Sequence, residues 1–387
     1  MVPFPQRNNK KKLGVVIGGS GLIGGTIVNY FKSIHPESAD ILAPSSKKLS
    51  IRQSTDIRAY LKSVRPDFVI NTAIANIDSD SQLAFEVNYL GPVNIARAAA
   101  AMSIPYIHIS SAATLPDGEM LQEEDHRPIT ARMSNYAKSK LMAEKTLDFM
   151  HKNRGLDYTC IRLSVVYGNH DHKIQGFHRM LFSIADESMP FMFTKKRIYH
   201  SFSNARKLAY FVHHLLDNRD EYSGKSYHFV DTEPVELSDL ILKIKSYLQL
   251  SSPKEIYIPY QAAKIGKKGL TLLLKMLSRF GLKADLPPEL MFLGHFYKTQ
   301  VLSNRRLRDS SFIDPFPEET VYTRLPEMII YYLTRWALQN LIDTYDEEYR
   351  PDGHVYKDFC DNPVELLDSM HKDATTPFPD MFPENKF

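Results

Sequence analysis

The stretch "LGVVIGGSGLIGG" at residues 13–25 constrains this chain more than any other. Its first half is short, apolar and rich in β-branched residues, which suits a strand buried on both faces. The second half sets Gly18, Gly21 and Gly24 three positions apart, and "GLIGGTIVNYFKSI" then carries apolar residues at helical spacing. A buried strand that turns through glycine into a helix predicts a parallel α/β unit, since parallel strands need a crossover and a helix usually supplies it. The spacing also has a chemistry. Glycines let backbone N–H groups approach a pyrophosphate at the positive end of a helix, and the third lets that helix pack closely on the sheet.

The alternation continues along the chain. Strands are predicted at "ADILAP" (39–44), "FVINTA" (68–73), "PYIHIS" (105–110) and "YTCIRLSVVYG" (158–168). Between them lie helical stretches at "DIRAYLKSV" (56–64), "SQLAFEVNYLGPVNIARAAAAM" (81–102) and "SNYAKSKLMAEKTLDFMHK" (134–152). This order makes a doubly wound α/β sheet of the Rossmann type, with helices on both faces and ligands beyond the carboxyl ends of the strands. The glycine turn, Ser110-Ser111 and Tyr167-Gly168 all fall at such ends, so they can share one cleft.

After residue 168 the alternation weakens. "KSYHFV" (225–230) reads as a strand and "VELSDLILKIKSYLQL" (235–250) as an amphipathic helix. The expected organisation is a basic tail at 1–12, a dinucleotide-binding domain at 13–168 to which the chain returns around 200–232, a smaller mixed substrate domain at 169–330, and a helix and tail at 331–387. The helix is placed at "MIIYYLTRWALQNLIDTY" and the loosely docked tail ends "TTPFPDMFPENKF".

Composition narrows the function. With 48 basic against 45 acidic side chains, the net charge of +3 gives no case for nucleic acid. Cys160 and Cys360 are far apart and lack metal-ligand spacing, which favours a reducing, cytoplasmic setting over a disulfide framework. No run of 18 apolar residues exists to span a membrane. Residues 264–283 do carry Lys264, Lys267, Lys268, Lys275, Arg279 and Lys283 around a leucine-rich face. That pattern suits a helix packed on the substrate domain with its lysines in water, and alternatively a peripheral contact with anionic lipid.

The end of the second strand speaks to the choice of dinucleotide. A carboxylate there would accept from the ribose 2′-hydroxyl of NAD. "ILAPSSKKLS" has none, and Ser45, Ser46, Lys47 and Lys48 are suited to a 2′-phosphate, so NADP is favoured and NAD remains open.

The glycine turn, the strand-end serines and the YxxxK of "NYAKSK" (135–140) together resemble the short-chain dehydrogenase/reductase superfamily, in its extended epimerase, dehydratase and reductase branch. "RPDFVINTA" (65–73), "FEVNYLGPVNIARAA" (85–99), "ISSAATLPDG" (109–118), "NYAKSKLMAEK" (135–145) and "RLSVVYG" (162–168) are similar to the dTDP-4-dehydrorhamnose reductase group. The resemblance covers residues 13–168. It implies that Tyr136 is the general acid/base, and that Lys140, one helical turn along, lowers its pKa and holds the nicotinamide ribose. Ser111 would donate to the reacting oxygen, with Ser110 as the adjacent alternative.

The same resemblance places a dinucleotide against Gly18, Ser20, Gly21, Leu22, Ile23 and Gly24, and against Ser45, Ser46, Lys47, Ser50 and Ile51. It adds Thr72, Ala73, Ile74, Tyr136, Lys140 and Val166. Ser50 stands where the family often has an aspartate beside the adenine. Ala112 and Ala113 follow Ser111 where dehydratases carry acids, which disfavours dehydration. A homodimer is also what the resemblance implies.

Three further residues have competing readings. Asn88 is either a buried brace between helix and strand, the favoured reading, or an active-site amide. His108, inside an apolar strand, is read as an interior histidine. His170, Asp171 and His172 are read as solvated loop residues, and no metal site is expected. Taken together, the expected function is NAD(P)-dependent oxidoreduction of a carbonyl or secondary alcohol on a small-molecule substrate, foremost a nucleotide sugar. The alternatives are the same chemistry on a sterol-like or acyl substrate at a membrane surface, a sugar epimerase, and a non-catalytic NADP-binding subunit.

Overall fold

The computed structural model describes residues 11–185, 192, 194–248, 250, 257–279, 294–339, 341 and 361–364, with backbone alone over 270–279. By contact the chain divides into two units, Met1–Ile329 and Ile330–Phe387.

The first unit is organised by a six-stranded parallel sheet in the order β10-β6-β4-β3-β1-β2. Its strands are β1 (Lys12–Ile17), β2 (Ala39–Leu42), β3 (Phe68–Asn71), β4 (Tyr106–Ser111), β6 (Tyr158–Leu163) and β10 (Lys225–Phe229). Period-two alternation in β1 shows why the sheet is covered twice. Val16 packs with Ile27 of α1 (Leu22–Asn29) and with Leu208, Phe211 and Leu215 of α7 (Ala205–Asp217). Val15 and Ile17 face the opposite core. There they meet Ile57 and Leu61 of α2 (Ser54–Val64), Ile95 and Ala99 of α4 (Gly91–Ala101), and Leu147 and Met150 of α5 (Asn135–Arg154). This is the doubly wound α/β fold that the sequence predicts.

Two predicted elements take a different form. The helical stretch 81–102 is built from α3 (Ser81–Ala84), a π turn over Phe85–Leu90, and α4. The predicted strand 158–168 is two strands. β6 stays in the parallel sheet, while β7 (Val165–Tyr167) leaves it to pair with β9 (Phe202–Asn204). The switch falls at Ser164, whose amide donates to Ser203 Oγ at 3.0 Å rather than to a sheet neighbour.

A smaller mixed sheet of order β11-β8-β12-β5 joins β5 (Gly118–Leu121) and β8 (Tyr199–His200) to β11 (Val235–Glu236) and β12 (Gln300–Leu302). In it β12 runs parallel to both of its neighbours, while β11 and β8 are antiparallel. Residues 237–247 form α9, and α10 (Tyr260–Arg279) carries the basic segment. Lys264, Ile265 and Lys268 are exposed on it. The side chains of Lys275 and Arg279, together with Lys283, lie outside the described residues, as do the tail 1–10, Cys360 and the segment ending the chain.

The helix predicted from residue 328 begins at Val321 and is described to Leu338. Thr320 and Thr323 set the earlier start, because each amide donates to the other's hydroxyl, at 2.9 and 3.4 Å. Within the second unit Tyr332 and Trp336 stack with ring centroids 5.7 Å apart. Among the described residues no helix is long and apolar enough to cross a membrane.

Candidate active site

The glycine turn is shaped by backbone contacts. Gly18 has φ +86°, a left-handed conformation costly to any residue with a Cβ. Its neighbours explain the third glycine as well. A Cβ on Gly24 would lie 2.3 Å from the Gly18 carbonyl oxygen and 2.6 Å from Thr72 Oγ1. Gly21 differs, since a Cβ there would meet only the Gly18 oxygen at 3.6 Å. The protein itself therefore does not demand a glycine at 21. Gly21 is the N-cap of α1, and no side chain caps it, nor is there an acid in the first turn. The N–H groups of that turn are left to an anion, and the turn fits a pyrophosphate.

These contacts separate the roles of two glycines. Gly24→Ala should cost about 3 kcal/mol of stability in urea unfolding, the upper range for overpacking against fixed backbone. Gly21→Ala should cost about 1 kcal/mol or less, a weakened cap, and its main effect should be on dinucleotide affinity in a fluorescence titration.

The side chains expected to be catalytic meet at the carboxyl end of β4. Ser134 caps α5 by accepting from the Ala137 amide at 3.2 Å, and Gly155 ends the helix with φ +63°. This fixes Tyr136, Lys140 and Glu144 at i, i+4 and i+8 on one buried face. The Tyr136 hydroxyl lies beside the Ser111 side chain, which pulls the phenol down against burial. Ser111 Oγ accepts from the Ala113 amide at 3.2 Å. Lys140 Nζ donates to the Ile109 carbonyl at 2.8 Å. Ser110 points the other way. Its hydroxyl donates to Glu144 in the interior, so Ser111 alone of the two faces Tyr136.

The electrostatics differ from the expectation that Lys140 lowers the tyrosine. Burial pushes the Tyr136 phenol up, and the neighbouring Ser111 side chain pulls only partly against it. Tyr136 is therefore protonated at neutral pH, the form needed to give a proton. Burial brings Lys140 down to about 8, against the opposing pull of the Glu144 carboxylate among its neighbours. The lysine spends its hydrogen bond on Ile109, and burial dominates both groups.

Other predicted residues are distributed around this centre. Leu22 and Ile23 open α1, with Leu22 Cδ1 3.7 Å from where a Cβ on Gly168 would stand. A cavity of about 600 Å³ runs from Ser20, Gly21 and Leu22 to Tyr167, Gly168 and Arg206. Ser45, Ser46, Lys47 and Lys48 are exposed beyond β2 and Ser50 is half-buried. Ile51 is 8% exposed and its side chain lies against Gly91, leaving only its main chain for a ligand. Thr72 Oγ1 donates to the Ile17 carbonyl at 2.9 Å and so braces the turn. The Ala73 amide is taken by Asn71 Oδ1 at 3.1 Å, Ile74 is exposed, and Val166 packs on the α1/α7 core.

Asn88 is wholly buried in the π turn, and its Oδ1 accepts from the Ala75 amide at 2.9 Å. The oxygen thus ties the π turn to the segment after β3, while Nδ2 is buried without a hydrogen-bond partner among the described residues. His108 is also wholly buried, its Nδ1 3.2 Å from the Tyr106 hydroxyl, and burial with nearby Lys140 holds it well below the usual histidine range. His170 and His172 line the 600 Å³ cavity, and Asp171 Oδ1 accepts from the Lys173 amide at 3.0 Å.

Sequence reasoning passed over a buried network behind the site. Arg162, on β6, is 1% exposed and Glu144 is 4% exposed. The guanidinium donates to the carboxylate at 2.9–3.2 Å, and its Nη1 donates to the Glu123 carbonyl at 2.6 Å and to His228 Nε2 at 3.3 Å. His228 Nδ1 donates to the Ser303 carbonyl at 3.1 Å, which suits a neutral ring. Burial and Arg162 keep its pKa down at about 3. The signal was available, since an arginine within the apolar run "YTCIRLSVV" requires a buried partner. A larger cavity, about 920 Å³, opens beside this network. Its cations are largely spent within its own walls, with Arg162 on Glu144, Arg306 on Glu124 and Lys152 on Asp148.

Comparison with known proteins agrees with the fold. The curated dTDP-4-dehydrorhamnose reductase of Sinorhizobium fredii is 26% identical over 168 residues, 42% of this chain and 53% of that protein. The match thus spans about half the relative's length. The crystal structure of dTDP-4-dehydrorhamnose reductase from Bacillus anthracis in complex with NADP superimposes with a TM-score of 0.60 at 19% identity, over 84% of this chain and 99% of the other. The UDP-glucose 4-epimerase of Thermus thermophilus, in complex with NAD, gives 0.60 at 17% identity, over 83% and 99%. At these identities the structures share the fold. The sequence model of the NAD dependent epimerase/dehydratase family matches residues 15–227, more than half of the chain, and the protein belongs to that family, within the extended short-chain dehydrogenase/reductases.

Proposed function

We propose that this protein is an NADP(H)-dependent oxidoreductase that reduces the carbonyl of a nucleotide sugar, or oxidises the corresponding alcohol. The observation that carries the reading is the buried face of α5, which sets a protonated Tyr136 beside Ser111 and one turn from Lys140. When bound, the dinucleotide supplies the hydride. Tyr136 gives its hydroxyl proton to the carbonyl oxygen, and Ser111 donates a hydrogen bond to the same oxygen as charge develops. Lys140 holds the ribose and adds positive charge. The uncapped start of α1 takes the pyrophosphate, and the exposed Ser45, Ser46, Lys47 and Lys48 take a 2′-phosphate.

Reduction is preferred to dehydration because Ala112 and Ala113 offer no acid or base beside Ser111. The relative named for reduction of a dTDP-4-dehydro sugar supports a nucleotide-sugar substrate. Residues 169–330, apart from the return to the main sheet through α7 and β10, are assigned to holding that substrate. A homodimer belongs to the same proposal, with exposed Leu83, Phe85 and Phe149 available to it.

The test is net oxidation of NADPH by the full chain with dTDP-4-dehydrorhamnose as probe. Interconversion of the sugar without net loss of NADPH would assign an epimerase instead, and turnover confined to a lipophilic ketone would move the substrate class. The reaction should also slow as pH rises through about 8. Lys140, brought down to about 8 by burial, has its ammonium below that pH and loses it above. A kcat/KM profile in which Lys140→Met keeps the same limb would remove Lys140 from the mechanism.

A further inference from the structure

The turn that begins at Ser111 is held by a residue from the far part of the chain. Gln300 opens β12, and Gln300, Val301 and Leu302 are all buried. Its Nε2 faces three main-chain carbonyls, Ala112 at 3.1 Å, Leu115 at 3.3 Å and Pro116 at 3.0 Å. Three acceptors around one group require the amide nitrogen there, since the amide oxygen has nothing to donate.

The residues so held form the short 3₁₀ turn over Ala112–Thr114 and its exit. The Thr114 hydroxyl donates to the Ser111 carbonyl and the Leu115 amide to the Ala112 carbonyl, each at 2.9 Å. Ala112 and Ala113 have no side-chain polar group to brace the turn themselves. Gln300 is itself fixed on both sides. Its carbonyl accepts from the Ser201 amide at 3.2 Å, and the preceding Thr299 carbonyl accepts from the Gly118 amide at 2.9 Å. Leu302, two residues on, joins Ala112, Leu115, Leu121 and Val230 in one apolar cluster beneath the turn. The smaller sheet thus reaches the turn at Ser111 through a buried donor whose own strand cannot shift freely.

We propose that Gln300 is a positioning residue: through its side-chain amide, set among the carbonyls of Ala112, Leu115 and Pro116, it fixes the Ser111 turn and keeps the Ser111 hydroxyl within reach of Tyr136. The inference rests on the oxidoreductase reading of Ser111 and Tyr136. A hydroxyl hydrogen bond is sensitive to displacements well below an ångström, and catalytic geometry carries similar tolerances. Without this clamp the turn would rest on its own Thr114 and Leu115 bonds and on Arg127, which donates to the Leu115 carbonyl.

The experiment reads Tyr136 directly in the full chain by carbon-13 NMR of the tyrosine Cζ at neutral pH, with the signal assigned by its loss in Tyr136→Phe. That resonance responds to hydrogen bonding at the hydroxyl. Ser111→Ala gives the shift for complete loss of the Ser111 hydroxyl. Gln300→Met keeps the length and removes the donors, and should shift the resonance in the same direction by a comparable amount. Leu302→Ala loosens the same strand without touching the amide and should leave the resonance in place. Gln300→Asn, too short to reach the three carbonyls, replaces Gln300→Met if that variant does not fold.

A Tyr136 signal that moves in Ser111→Ala but stays unmoved in a folded Gln300 variant overturns the positioning role alone. So does an equal shift in Leu302→Ala, which would mark a merely structural effect, or failure of both Gln300 variants to fold. No shift in Ser111→Ala overturns the positioning role together with the active-site reading beneath it.

Discussion

Tyr136→Phe should lower turnover by about 10²- to 10⁴-fold, the range expected when a positioned general acid is removed. The ring is buried, and phenylalanine preserves its shape, so the packing of α5 on the sheet should survive. Only the hydroxyl and its interaction with the Ser111 side chain are lost. Dinucleotide affinity should therefore fall by no more than about 10-fold, the worth of one net hydrogen bond. Single-turnover kinetics and an equilibrium titration measure the two separately. Turnover unchanged in this variant would remove Tyr136 from the chemistry. Turnover and cofactor binding lost together would mean instead that the substitution had disturbed the cleft.

Glu144→Ala should be the most destabilising single change near the site, costing about 3–5 kcal/mol, because it strands the Arg162 guanidinium in the interior. Arg162 is 1% exposed, and its Nε and Nη2 both point at the Glu144 carboxylate. Its remaining hydrogen-bond partners, the Glu123 carbonyl and the His228 and His126 rings, carry no negative charge, so only the nearby Glu123 carboxylate would partly offset the guanidinium. A loss of this size is a large part of an ordinary domain's stability. The double change Glu144→Leu with Arg162→Met removes both charges and should recover most of the loss, as buried pairs often tolerate replacement by apolar residues. Urea unfolding of the two variants beside the parent checks this. A single-variant cost below about 1 kcal/mol, the level of an exposed pair, would show that the pair is not buried in solution.

The network also bears on chemistry. Glu144 lies on the helix face that carries Tyr136 and Lys140, and it accepts from Ser110, the neighbour of Ser111. The Glu144 carboxylate thus ties α5 to β4 through Ser110 and to β6 through Arg162, near the proposed reacting groups. Its contribution is to hold the helix, and through the helix the two residues ahead of it.

Much of this was legible in the sequence. Strand, glycine turn and helix each have a local signature, and their order leaves a doubly wound sheet as the natural outcome. Tyr136 and Lys140 fall on one face because four residues make about one helical turn. The glycines read correctly as a turn of close approach, since φ at Gly18 and the crowding at Gly24 follow from the strand and helix they join.

Other features depend on partners distant in sequence. "YTCIRLSVVYG" has the period of one strand, yet β7 leaves the sheet because Ser203 and β9, some 39 residues on, offer its backbone another pairing. Ser110 and Ser111 are equivalent as neighbours at a strand end. The choice between them was made by Glu144 beneath one and Tyr136 beside the other. Lys140 was expected to tune the tyrosine by its charge, but the depth of burial governs both groups, and depth is a property of the packed whole.

The sequence by itself determined the parallel α/β fold, the turn suited to a pyrophosphate, and a tyrosine and lysine on one helix face, because these rest on backbone period and local conformation. Only the tertiary structure decided which serine meets the tyrosine, what balances Arg162, and that Gln300, 188 residues from Ala112, closes on the Ser111 turn. Those are contacts between elements, fixed by packing and by the need of each buried polar group for a partner, and no local pattern encodes where that partner will stand.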